Sequence, residues 1–210
     1  MAWNAKLLAM SSLPDRSQRL AGARADLLEL RPAIEAGEPW PLSDNFGTEP
    51  EAAWGPREAL AHVEEMLPYW LGEIERVLEG GAATSAPGGQ DDGSAPGQTA
   101  FGRVAADELR VGIIERDRTL PLRELFDRID VGVGRVVRRL EDLEPAALER
   151  RGDHPRLGPM TVADITDRFI VGHLEEHVDQ LRAILRDVAD GADATDAADP
   201  TDATDLPGRG

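Results

Sequence analysis

The chain predicts an all-α protein, a four-helix bundle interrupted by a flexible insertion at about 80–100 and followed by a disordered acidic tail at 189–210. Three observations lead there. Apolar residues recur at three- and four-residue steps in four separate stretches, no stretch alternates convincingly with the period of a strand, and the segments between them are rich in Gly and Pro. A length of 210 residues with 41% hydrophobic content is enough for one domain, which we place over residues 1–188.

The first helix runs from Arg16 to about Ala36, with Leu20, Ala23, Leu27, Leu30 and Ile34 on its apolar side, and Pro32 is expected to kink it or end it early. Glu35 to Ala53, carrying Pro39, Pro41, Gly47 and Pro50, reads as a loop. Gly55-Pro56 then supplies a cap and a first-turn proline for a second helix, Trp54 to Glu79, whose stripe is Leu60, Val63, Leu67, Trp70, Ile74 and Val77, with Pro68 expected to bend it. Gly80 to Ala100 is too poor in large apolar residues to join the core and reads as the insertion.

Phe101 to Arg118 fits a short helix or an extended packing segment equally well. Pro121 to Asp142 is the third long helix, with Leu122, Leu125, Phe126, Ile129, Val133, Val136 and Leu140 in phase, and Gly132 and Gly134 weaken it or admit a close neighbour. Glu144 to Arg151 reads as a short helical turn and Gly152 to Pro159 as a loop holding His154. Thr161-Val162-Ala163-Asp164 opens the fourth helix as a capping box, and its apolar pattern continues to Val188.

Composition excludes several functions. A net charge of -17 argues against phosphate-backbone binding, so no nucleic-acid partner is expected. No segment has the roughly 20 apolar residues of a membrane span, and Met1 to Met10 is too weakly apolar for a secretory signal, so the expectation is a cytoplasmic protein. Part of the charge lies in the tail, where Asp190, Asp193, Asp196, Asp199, Asp202 and Asp205 recur at every third position. Cysteine is absent, which removes disulfides, thiolate metal ligands and a cysteine nucleophile.

The chemistry concentrates in His173-Leu174-Glu175-Glu176-His177. Two imidazoles four residues apart stand on one helix face, in the sector shared by Ile170, Leu181 and Ile184, and inward polar rings need a hydrogen bond or a metal. His62 is the third candidate ligand, although it lies about 110° from the centre of its helix's apolar stripe and also fits a surface position. Gln180 lies on the same side as His173 and either supports the site or is an ordinary boundary residue. The pentapeptide also satisfies H-x-x-E-H, a zinc-peptidase pattern with Glu176 as general base, but no glutamate comes after Glu176 to serve as the distal ligand; Glu175 and Glu176 otherwise read as solvent-facing charges. His154 is a proton shuttle or a simple exposed loop histidine, and Arg57 and Arg156 are among many arginines able to pair with a carboxylate.

The order of an amphipathic helix, Trp54-Gly55-Pro56-Arg57-Glu58 leading to His62, a Gly-containing loop, and His173-x-x-x-His177-x-x-Gln180 resembles the DinB superfamily, the DinB/YfiT-like metal-dependent proteins, over roughly Arg16 to Val188. The resemblance implies a four-helix bundle with an up-down-down-up connection and a divalent ion, zinc, nickel, iron or manganese, held by His62, His173 and His177. It further implies a homodimer, and a relation to thiol-dependent transferases and isomerases, including the mycothiol-dependent maleylpyruvate isomerases. The expected activity is therefore transfer or isomerisation of a small electrophile with a low-molecular-weight thiol such as mycothiol. The alternative is a non-catalytic metal-bound stress or ligand-binding bundle. The insertion and the acidic tail depart from the common family pattern, while Lys6 as the only lysine resembles high-GC bacterial coding, in which mycothiol is a plausible thiol.

Overall fold

The computed structural model describes residues 12–80, 99–103 and 107–196, with side chains described to residue 191. The middle of the expected insertion, 81–98, and the end of the expected tail, 197–210, lie outside the described residues. The chain order is α1 (Leu13–Ala36), α2 (Pro56–Glu79), β1 (Thr99–Ala100), α3 (Glu108–Asp117), α4 (Leu122–Glu141), β2 (Arg151–His154), β3 (Gly158–Thr161), α5 (Val162–Thr166), a π-helical turn (Asp167–Val171) and α6 (Gly172–Asp196). Short 3-10 turns at Glu51–Ala53 and Pro145–Glu149 complete it. Among the described residues, no helix is long and apolar enough to cross a membrane.

Local chemistry explains the helix starts. Ser12 and Asp15 exchange side-chain and backbone hydrogen bonds in a capping box, so α1 begins three residues ahead of the expected Arg16. Gly55 and Pro56 occupy the cap and first position of α2 as expected, and Thr161 with Asp164 forms the predicted box ahead of α5. Neither Pro32 nor Pro68 ends its helix. The ambiguous stretch resolves into α3, capped by the Asp107 side chain on the Arg110 N–H. Helix α6 continues to Asp196, beyond the Val188 boundary that the acidic composition suggested.

The mainly helical class holds, with one correction to the all-α expectation. Residues 152–159 were expected to form a loop, yet β2 pairs antiparallel with β3, and β1, from the end of the expected insertion, pairs parallel with β2. Strands of two to four residues are too short to leave a period-two signal, and the turn between β2 and β3 depends on Gly158 at φ +73°, a left-handed conformation that glycine adopts without strain.

The buried apolar side chains form one cluster. Helix α4 packs against both α1 and α2, and α6 against both α1 and α2. Gly132 has the packing role considered for it: a Cβ there would come 3.1 Å from Leu67 Cδ1, so its absence lets α4 approach α2 closely. Helix α2 touches α3, α4, α5, the π-helical turn, α6 and β1, which is why Leu60, Ala61, His62 and Val63 are all buried in succession. The π-turn is anchored by Arg16, which donates to both carboxylate oxygens of buried Asp167 at 3.0 and 2.5 Å. A π-turn shifts the angular phase of the helix beyond it, so this pair helps set the direction in which the first residues of α6 project.

Candidate metal centre

The three predicted ligands meet. His62 from α2 lies with its Nε2 2.9 Å from His173 Nε2, and His177 Nε2 is 3.3 Å from the same atom. His62 and His177 are each 3% exposed, so His62 is not the surface residue that its angular position allowed; a helix enclosed by six neighbouring elements buries its polar edge along with its stripe. Glu51, from the 3-10 turn ahead of α2, joins them with Oε2 3.7 Å from His173 Nε2. These four residues offer ligand atoms within 4.8 Å of one another.

The hydrogen bonds around the rings direct their lone pairs. Gln180 donates from Nε2 to the carbonyls of Glu51 (2.8 Å) and Trp54 (3.1 Å), which turns its Oε1 toward His177. His177 Nδ1 then donates to that oxygen at 2.9 Å, leaving Nε2 as the basic nitrogen. His173 Nδ1 lies 3.3 Å from Glu176 Oε2 and is fixed in the same sense. Gln180 thus supports the site directly, and Glu176, a half-exposed carboxylate, is engaged on the outer nitrogen of His173. Glu175 faces away and pairs with Arg19 at 2.6 Å.

Three nitrogens separated by 2.9 and 3.3 Å cannot be a stable set of protonated rings. Such separations are those of ligands about 2.0–2.1 Å from one ion at mutual angles of roughly 90–110°. The electrostatics agree. Burial, reinforced by His177, Arg110 and His173, pushes the pKa of His62 well below its ordinary value, and burial with the neighbouring His173 lowers that of His177 to about 4. Neutral imidazoles are the metal-binding form. Burial alone would raise the Glu51 carboxyl; His62 opposes this most where it is protonated, and Arg110 opposes it whether or not the rings are charged, so the group lies below its usual range. The donor set therefore fits a divalent ion.

Beside this cluster lies a cavity of about 400 Å³, with His62, His173 and Glu51 at one end. Trp70 and Phe169 stack at 4.0 Å and 6° along its side, and the His154 ring lies nearly parallel to Phe169 at 5.5 Å. His154 is 6% exposed, so it is a buried part of the wall and not the exposed loop histidine considered from the sequence. Its pKa is lowered by burial, then by Arg168 and Arg156. Arg103, Arg110 and Arg156 also line the space. Arg57 does not: it binds Glu38 at 2.5 Å and the carbonyls of Arg118 and Leu120, closing a loop.

Glu51 and Arg110 are the residues that sequence reasoning missed. Arg110 forms a close ion pair with Glu51, sits 3.4 Å from both ring nitrogens of His62 and lies over the Trp54 ring at 5.4 Å. Both come from segments without a decisive periodicity. A buried arginine on a short helix carries no signal that marks it in advance.

No curated protein and no solved structure matches the chain at a significant level. The family model described as the DinB superfamily matches residues 15–181, which covers α1 through the histidine pair and Gln180, and the chain accordingly belongs to the DinB superfamily.

Proposed function

We propose that this chain is a divalent-metal-binding DinB protein of the four-helix DinB/YfiT type, which uses its centre for thiol-dependent transfer or isomerisation of a small electrophile. The convergence of three Nε2 atoms from α2 and α6 beside a cavity carries this reading. His62, His173 and His177 hold the ion, with Glu51 as a nearby carboxylate donor. Bound there, a divalent ion supplies Lewis acidity that lowers the pKa of a coordinating thiol and favours thiolate at neutral pH.

The chain's own residues do the rest. Gln180 and Glu176 hold the rings of His177 and His173 in the tautomer that presents Nε2. Glu51, ionised and paired with Arg110, is an acceptor for the thiol proton as the S–H bond breaks and sulfur bonds to the electrophilic carbon. The apolar wall of Trp70 and Phe169 limits water around the reacting groups. In a transferase the adduct leaves with its new C–S bond and recovers a proton; in an isomerase the C–S bond breaks again and the thiol is regenerated. Mycothiol is the thiol that the arginine-rich, lysine-poor composition favours.

Metal analysis and then a thiol and electrophile screen on one preparation test the reading. Conjugation or isomerisation that requires the metal and all three histidines supports it. Stoichiometric metal without turnover across a broad panel of thiols would assign the chain to a non-catalytic metal-bound bundle. Peptide cleavage lost in Glu176→Ala would restore the peptidase reading.

A further inference from the structure

The cavity is chemically asymmetric. The metal cluster occupies one end, the stacked rings of Trp70, Phe169 and His154 run along one side, and three arginines border it against the single acid Glu51. In a chain of net charge -17, that local excess of positive charge selects for an anionic guest.

The arginines are not equivalent. Arg103 pairs with buried Glu65 at 2.6 Å and lies over the Tyr69 ring at 3.7 Å, and Arg110 pairs with Glu51. Arg156 makes no ion pair among the described residues. It stands in the exposed turn between β2 and β3, and that turn is tied to the wall: the backbone N–H groups of Arg156 and Leu157 donate to His154 Nδ1 at 3.2 and 3.3 Å. Two donors on Nδ1 leave the ring proton on Nε2, so His154 is a neutral ring that fixes the turn to the aromatic stack. The tether places a guanidinium without an acidic partner at the border of a largely aromatic cavity.

We propose that this cavity binds an aryl-substituted α,β-unsaturated carboxylate, its ring against the Trp70–Phe169–His154 wall and its carboxylate on Arg156, with its β-carbon as the electrophile. The assignment of the reacting end rests on the proposed thiol chemistry; the binding part does not. A small dicarboxylate would leave the aromatic wall uncovered, and a neutral aryl amide would forgo the charge-assisted pair with Arg156.

Calorimetric titration of the metal-loaded and chelator-treated full chain with trans-cinnamate, cinnamamide and fumarate tests this, with metal content measured on each sample. We expect cinnamate to bind at least about tenfold more tightly than either comparator in both forms, the size of one charge-assisted hydrogen-bonding pair against the amide and of the buried ring against fumarate. Arg156→Gln, in an exposed turn, should reduce the acid-over-amide ratio below about threefold with metal content unchanged. Phe169→Leu should erase the preference for cinnamate over fumarate. Equal binding of acid and amide, a preference for fumarate, or no binding would overturn the proposal. A preference that survives Arg156→Gln but disappears on chelation would place the carboxylate on the metal, overturning this subsite while leaving the metal reading intact. The expected ratios in a chain that retains no metal would sink the proposed function and leave the subsite standing.

Discussion

Helices α1 and α4 bury Leu20, Leu27 and Ile34 against Leu125, Phe126, Ile129 and Val133, whereas α2 and α6 bury His62 and His177 among Leu60, Val63, Leu174 and Val178. In the first region every buried group named is apolar and burial itself is the source of stability. In the second, imidazoles are held neutral at a cost, with their Nε2 atoms close together. The contrast teaches that the α2–α6 region is arranged for a ligand and bears the cost of clustering polar rings, where α1 and α4 meet mainly through apolar side chains.

The sharpest way to break that contrast is to remove ligands. His62→Ala, His173→Ala and His177→Ala should each reduce metal content from about one ion per chain to near zero by elemental analysis, with folded protein still recovered. Full retention in all three would end the metal reading. Phe126→Ala in the apolar region should do the reverse: it removes a fully buried ring and should cost about 3–5 kcal/mol in urea unfolding, while the folded fraction keeps its metal.

Acid sharpens the comparison further. His62, His177 and His154 all have depressed pKa values, so below the ordinary histidine value of about 6.5 the unfolded chain takes up protons that the folded chain refuses. Stability is therefore complete above that value and is lost as pH falls toward about 4, the value for His177. The metal-free protein should show a falling urea midpoint between about pH 6.5 and 5, with a smaller slope in His177→Asn. A flat profile would mean that the buried rings are not held neutral.

Substitution of the supporting residues should have smaller effects. Gln180→Leu should weaken metal affinity by about 10–100-fold in a competition titration, because His177 loses the acceptor that fixes its tautomer. Glu176→Gln should change it by no more than about fivefold, since that carboxylate is 52% exposed and its pair with His173 is screened. A reversal of these two would make Glu176 the dominant support of the site.

What the residues alone determined is what depends on short-range periodicity and caps. The long helices, the Gly55-Pro56 and Thr161–Asp164 starts, and a His173–His177 pair facing inward all arise from repeats within a few turns. Where a feature depended on partners distant in sequence, the local signal was weak or misleading. His62 sits off its helix's apolar stripe and is buried because six elements surround α2. His154 looked like a loop residue because β1, β2 and β3 are too short to register, and Glu51 and Arg110 lie in segments with no clear phase. Only the tertiary structure decided that Glu51 and Arg110 join the histidines and that Arg156 borders the aromatic cavity. The physical reason is range: a helix's period is written in each turn, while a site assembled from a loop, a hairpin and three helices exists only once the core has brought them together.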